Sequence, residues 1–269
     1  MTSSDRPILA CEGLSMHFGG LAALDQVDIH VRKGEILGLI GPNGSGKTTF
    51  FNVITGIYAP SGGRVEFAGR DITGWRPQKV YRAGIARTFQ RSRLCLPLSI
   101  FDNLMVGNHG RLDHGLWFNV VRRRAFREQF ERCVDEARQL VGTFNPELVE
   151  RLFEAVATFP MIDRRRIEIC RALISHPKLL LLDEPSAGMT HDETRQLMDD
   201  ILEVGRRDPD LAIVIIEHEM SVIERITDHC VVLNYGQKIA EGTYEAVAKD
   251  PQVQEAYLGG EGAEEWQVV

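Results

Sequence analysis

The stretch Gly41-Pro42-Asn43-Gly44-Ser45-Gly46-Lys47-Thr48-Thr49 fits the pattern G-x-x-x-x-G-K-[ST], a spacing suited to holding a chain of phosphates. Gly41, Gly44 and Gly46 lack a Cβ, so the backbone can curl and turn its N–H groups toward an anion. Lys47 is placed to reach the β- and γ-phosphates of a nucleotide, and the Thr48 hydroxyl to hold Mg²⁺. A helix starting here would add the partial positive charge of its N-terminus.

Two carboxylates and a histidine extend this chemistry. Leu179-Leu180-Leu181-Leu182 runs straight into Asp183-Glu184. An Asp at the end of a buried strand can hold the Mg²⁺ of a loop-bound nucleotide, and a Glu beside it can polarise an attacking water. A second apolar run, Ala212-Ile213-Val214-Ile215-Ile216, leads into Glu217-His218. At the carboxyl end of a neighbouring strand, His218 would face the same crevice and could touch a γ-phosphate. Gln90, after Arg87-Thr88-Phe89, carries no signal on its own.

These groups need strands to end where they stand. Ile36-Leu37-Gly38-Leu39-Ile40 predicts a buried strand ahead of the glycine loop, and Thr48 to Thr55 predicts a helix closed by Gly56. Leu179–Leu182, Ala212–Ile216 and Val231–Leu233 predict further buried strands, with a helix over Thr190–Arg206 between the first two. Apolar strands alternating with helices argue for an α/β fold with a parallel sheet. Residues 8–33 and Arg64–Gly69 alternate in polarity instead, with Val27, Ile29 and Val31 on one face, and predict an antiparallel β layer. From residue 91 the pattern turns helical. Ser99 and Asp102 form a capping-box pair, Phe126, Phe130, Val134, Ala137 and Val141 share a face over Arg122–Val141, and Glu150–Ala157 reads as a further helix. Residues 8–90 and 173–258 are therefore expected to form the core with its β layer, 91–172 an inserted helical subdomain, and 259–269 a loose tail, all within one domain spanning 1–269. The Arg122-Arg123-Arg124 run reads as a solvated helix face.

Composition narrows the partners. The net charge of −7 excludes general binding to nucleic acid or anionic membranes. Five scattered cysteines without a C-x-x-C pair point to reduced thiols in a cytoplasmic compartment. The first residues show no apolar signal region, and no apolar run approaches about 18 residues, so contact with a membrane is expected through a partner.

In this order, the glycine loop, Gln90, Asp183-Glu184 and His218 resemble the ATP-binding cassette of ABC transporters, over nearly the whole chain. The resemblance implies a RecA-like P-loop NTPase core with an antiparallel β subdomain and an inserted α-helical subdomain. It also implies ATP and Mg²⁺ as ligands. Phe18, in Leu14-Ser15-Met16-His17-Phe18-Gly19-Gly20, matches the aromatic residue that stacks on adenine. Gln90 would touch Mg²⁺ and sense the transmembrane partner, Glu184 would be the general base, and His218 the γ-phosphate switch. Ser186-Ala187-Gly188-Met189 takes the position of the loop that crosses the dimer.

Finer resemblance lies in Phe18–Leu24, Arg87–Gln90, Arg165-Arg166-Ile167-Glu168-Ile169, Ile216–Met220 and Glu255–Gly259. These are similar to the larger ATPase subunit of branched-chain amino acid importers, and urea and short-amide importers share most of them. The expected partners are two transmembrane permease subunits and, indirectly, an external solute-binding protein, at the cytoplasmic face of the inner membrane. The family signature Leu-Ser-x-Gly-Gln is not kept; its place holds Phe159-Pro160-Met161-Ile162-Asp163. Pro160 has neither hydroxyl nor N–H, Ile162 adds bulk where Gly allows close approach, and Asp163 brings negative charge toward a triphosphate. That degeneracy implies pairing with a second ATP-binding subunit whose signature is intact. The other readings are a soluble cassette protein of translation or DNA repair, and an ATP-binding regulatory subunit without turnover.

Overall fold

Val27, Ile29 and Val31 are buried while Asp28 and His30 between them are exposed, the burial pattern of a strand covered on one face. The computed structural model describes residues 6–90, 92–112 and 123–258. Within these, β1 (Leu9–Phe18), β2 (Leu21–Val31), β4 (Gly62–Phe67) and β5 (Arg70–Asp71) form an antiparallel sheet in the order β2-β1-β4-β5.

A second sheet has six strands, β3 (Ile36–Ile40), β6 (Ile85–Arg87), β7 (Leu179–Asp183), β8 (Ala212–Ile216), β9 (His229–Asn234) and β10 (Gln237–Gly242), in the order β10-β9-β3-β8-β7-β6. All its pairings are parallel except the β9–β10 hairpin. Every residue of β3, β7 and β8 is buried, as parallel strands covered on both faces require. Leu37, Leu39, Leu179, Leu181, Val214 and Val231 from this sheet share one core with Leu9, Leu14, Val27 and Ile29 of the antiparallel sheet. Phe50, Phe51 and Ile54 of helix α1 (Lys47–Ile54) join the same core.

The remaining described helices are α2 (Pro77–Ala83), α3 (Ile100–Gly107), α4 (Arg123–Phe144), α5 (Glu147–Glu150), α6 (Met161–Leu173), α7 (His191–Arg207), α8 (Met220–Ile226), α9 (Tyr244–Ala248) and α10 (Pro251–Leu258). None is long and apolar enough to cross a membrane. The five cysteines are free, four of them buried.

The chain divides into two compact units, one holding residues 1–87, 178–187 and 205–269, the other 88–177 and 188–204. The second unit is larger than the helical segment expected at 91–172. Its first boundary falls where β6 ends at Arg87 and the chain leaves the sheet, not at the change of composition that follows. It also takes in 188–204, entered through Gly188 at φ 80°.

Within the second unit the capping box at Ser99 and Asp102 is formed as expected. Arg123 and Arg124 are exposed at the start of α4, and Arg124 meets Glu128 one turn on at 3.1 Å. Arg122 lies outside the described residues, as does the tail from 259. Along α4, Val134, Ala137 and Val141 are buried but Phe126 and Phe130 stay exposed. The helix expected over Glu150–Ala157 is corrected: α5 ends at Glu150, and turns and a short 3₁₀ segment at Val156–Thr158 follow. The backbone of this stretch pairs sideways instead. Ile100 and Phe101 N–H donate to the Glu154 and Leu152 carbonyls at 3.1 and 2.9 Å, and Val156 and Ala157 N–H donate to those of Leu98 and Leu96, both at 2.9 Å.

Candidate active site

Parallel pairing brings the carboxyl ends of β3, β6, β7 and β8 to one edge of the sheet, the edge where open α/β sheets bind ligands. The glycine loop leaves β3 there, Arg87 ends β6, Asp183-Glu184 ends β7 and Glu217-His218 follows β8.

The loop has the backbone its glycines were expected to permit. Gly41, Gly44 and Gly46 sit at φ 144°, 79° and 108°. Two of them also permit close approach: a Cβ on Gly41 would lie 2.0 Å from the Leu233 carbonyl oxygen, and one on Gly46 2.6 Å from that of Ala23. Gly46 caps α1, so the first N–H groups of that helix open toward the loop. Lys47 is 6% exposed, and its Nζ donates to the carbonyls of Gly41 and Pro42 at 2.5 and 2.9 Å. The charge is thus held at the loop itself.

A cleft of about 470 Å³, within the range of small-molecule sites, opens on this edge. Asn43 through Thr49 line it on one side, Glu184 and His218 on another, and Phe18, Leu21, Ala22, Ala23 and Tyr235 form an apolar rim. Phe18 is 43% exposed and meets Tyr58 edge-on at 5.3 Å between centroids, so it is no core phenylalanine.

Glu184 and His218, expected to face one crevice, touch: His218 Nε2 and Glu184 Oε1 share a hydrogen bond of 2.7 Å. Glu184 sits at φ 49°, left-handed backbone that costs a non-glycine residue about 1–3 kcal/mol. Its N–H donates to the Ile216 carbonyl at 2.9 Å and its carbonyl accepts from Ala187 N–H at 3.2 Å, which holds the strained turn. A carboxylate beside an imidazole at a phosphate-sized cleft can take a proton from water and pass it on.

Asp183 is 3% exposed and pairs with Arg87 at 2.7 Å. The same guanidinium donates to Asn52 Oδ1 on α1 at 2.7 Å, tying the glycine-loop helix to the end of β7. No sequence pattern marks the short strand that Arg87 ends, so its role emerges only from the fold.

Glu217 was also passed over. It is 4% exposed, and its Oε1 accepts the backbone N–H of Ser186 at 2.8 Å, fixing the segment that follows Glu184. Burial pushes its pKa up, against the lowering effects of the Ser186 hydrogen bonds and of His218. The folded chain therefore holds this proton more tightly than the unfolded one. The stabilisation is full below the unfolded Glu range near pH ~4.3 and is lost as pH rises through the folded value. Glu217→Gln keeps an acceptor for Ser186 without a charge. It is expected to raise the Tm above that of the parent at pH 8, with the gap closing toward pH 4. A lower Tm for the variant at pH 8 would show that the fold relies on the carboxylate.

Gln90 and the 159–163 segment belong to the second unit. Gln90 is exposed, and its carbonyl accepts from Arg165 at 3.0 Å. Pro160 and Met161 are exposed at the start of α6, while Phe159 is buried with Arg151 over its ring at 4.0 Å. The expectation that Ile162 and Asp163 obstruct a phosphate from the surface is corrected, because both are buried. Asp163 accepts from Asn145 at 3.2 Å and pairs with Arg166 at 3.1 Å, and Arg166 also meets Asp200 at 2.8 Å. Its charge is spent inside the unit. Pro160 offers α6 no side-chain cap, and Asp163 in the first turn complements the helix dipole instead.

Comparison with known proteins finds similarity over nearly the whole chain. Residues 24–187 match the family model described as ABC transporter, and residues 237–263 match that described as branched-chain amino acid ATP-binding cassette transporter. The high-affinity branched-chain amino acid transport ATP-binding protein LivG of Salmonella typhimurium is 38% identical over 94% of this chain and 98% of its own length. BraF of Pseudomonas aeruginosa, described in the same terms, is 37% identical over the same shares. A solved nucleotide-free ATP-binding cassette from an ABC transporter superposes with a TM-score of 0.81 at 32% identity, covering 94% of this chain and 100% of that one. A cassette in its ADP conformation gives 0.80 at 32% identity, over 94% and 99%.

Proposed function

This chain belongs to the ABC transporter family and hydrolyses ATP to drive transport; from that premise we propose that it powers an importer of branched-chain amino acids, paired with a second, different ATPase chain. The observation that carries the solute class is the match of residues 237–263 to the branched-chain model, alongside full-length similarity to LivG and BraF. The 269 residues act as one nucleotide-binding domain, with the first unit as core and β layer and the second as helical subdomain. It sits peripherally at the cytoplasmic face of the inner membrane, on two permease subunits served by an external solute-binding protein.

In this reading the phosphates of ATP lie on the amides of residues 41–49, Lys47 bridges the β- and γ-phosphates, and Thr48, Asp183 and Gln90 hold Mg²⁺. The donor set fits a hard cation: a hydroxyl, a carboxylate and an amide oxygen. Phe18 stacks on adenine. Glu184 takes the proton of the attacking water, and His218 orients Glu184 and contacts the γ-phosphate.

The unequal pairing is supported by the start of α6. Pro160 has no hydroxyl or N–H to offer a partner's γ-phosphate. The side chains of Ile162 and Asp163 are buried, so neither side chain offers a donor outward. This chain's P-loop then works against the partner's signature, and the partner's P-loop meets none. Losing such donors costs about 10²-fold in rate. ATP turnover by this chain alone is thus expected to be low and to rise about 10²-fold in the reconstituted complex, with uptake of leucine, isoleucine or valine into proteoliposomes. Vigorous turnover by the isolated chain would sink the unequal pairing. Uptake of urea or a short amide in place of those amino acids would reassign the solute.

A further inference from the structure

Three large apolar side chains of the first unit stand on one rim. Phe18, Leu21 and Tyr235 all line the cleft, and Tyr235 is the most exposed of them at 86%. Apolar groups gathered in water beside a polar loop mark a binding surface, since burial in a core does not explain them.

Tyr235 is the residue the fold itself accounts for least. It is the first of two turn residues between β9 and β10, and it sits at φ 45°, with Gly236 at 79°. Hairpin turns with two positive φ values favour Asn-Gly or Gly-Gly, because an ordinary side chain is strained there. A tyrosine at this position neither relaxes the turn nor adds to the core. The turn is also fixed in place. Gly236 N–H donates to the Ser45 carbonyl at 3.0 Å, and Asp25 N–H donates to the Gly236 carbonyl at 2.8 Å. The Gln237 amide donates to Asp25 Oδ2 at 2.8 Å. Tyr235 is thereby anchored to the P-loop on one side and to β2, which carries Leu21, on the other.

We propose that Tyr235 is a nucleoside-binding residue. With Leu21 it forms an aromatic and aliphatic rim that packs on the base and ribose of ATP, adding to the platform of Phe18. The inference rests on the reading of the cleft as an ATP site. The P-loop takes the phosphates, so an apolar rim on the same cleft suits the part of the nucleotide beyond them. The ring does the work, and any aromatic residue would serve.

The test is calorimetric titration of the full chain with ATP and, separately, with inorganic tripolyphosphate, which has no nucleoside. Tyr235→Ala is expected to weaken ATP binding about fivefold to 150-fold, the range of a lost base–aromatic contact, and to leave tripolyphosphate binding unchanged. Tyr235→Asn, which suits the left-handed turn, should show the same loss with a Tm no lower than the parent's. Tyr235→Phe should bind ATP as the parent does. ATP affinity unchanged in Tyr235→Ala would overturn the proposal. So would equal loss of ATP and tripolyphosphate, which would mean that the change acts by disturbing Ser45. Failure of the unaltered chain to bind ATP would instead strike the ATP-site reading itself.

Discussion

Lys47→Ala is expected to weaken ATP binding by this chain about 10²- to 10⁴-fold and to abolish transport by the assembled complex. The magnitude follows from removing charge-assisted hydrogen bonds to two phosphates, each worth about 1.5–3 kcal/mol. Lys47 Nζ already lies at the loop, bonded to the carbonyls of Gly41 and Pro42, so a nucleotide would meet a charge held in place. Lys47→Met keeps most of the buried stem and loses only the charge. It should behave like Lys47→Ala, which separates loss of binding from a cavity beside the loop. Titration calorimetry of both variants decides the point, and parent-like affinity in either would overturn the phosphate role. The unequal pairing adds a further demand: the matching lysine change in the partner ATPase should impair transport less. Equal loss from the two changes would count against it.

Glu184→Gln is expected to leave ATP affinity within about threefold of the parent and to slow turnover of the assembled complex by about 10²–10⁴-fold, the range for removing a general base. Glutamine keeps the shape and an oxygen that can stay beside His218, now at 2.7 Å from the carboxylate. It cannot take a proton from water. Turnover is read as phosphate release under saturating ATP, and near-parent rates would place the base elsewhere. The left-handed turn at Glu184 gives the variant a second use. The strain lies in the backbone and is the same for Gln, so the Tm should hardly move, and a lost rate can be assigned to chemistry.

The parts legible in the sequence are those where a local demand leaves few residue choices. The glycines of the P-loop could be read because positive φ and close backbone contact both exclude a Cβ at Gly41 and Gly46. Ala212–Ile216 could be read to the residue because a fully buried parallel strand is an unbroken apolar run. Contacts between distant residues were not legible. Arg87 and Asp183 lie 96 positions apart, and nothing near Arg87 says which carboxylate it meets. The inward turn of Asp163 depends on Asn145 and Arg166 being where the fold brings them. At 150–157 the apolar spacing suited a helix, but pairing with 96–101 claimed the backbone groups a helix would have used. Tyr235 escaped notice because its meaning comes from exposure and a strained turn, neither of which periodicity records.

The packing of Gly41 against the Leu233 carbonyl bears on the order of events during synthesis. Strand β3 pairs only with β8 and β9, its first N–H is held by Asp228, and Ser45 is braced by Gly236. All of these partners are translated about 160 or more positions after the loop. When the nucleotide motif leaves the ribosome, β2 beside Gly46 has been made, but the surfaces that hold β3, Gly41 and Ser45 do not yet exist. The early chain therefore carries the motif without the site, and nucleotide cannot reward folding until the β9–β10 hairpin has emerged. Until then the apolar strand Ile36–Ile40 has no neighbours on either side, which makes it the segment most in need of shielding while the chain is being made.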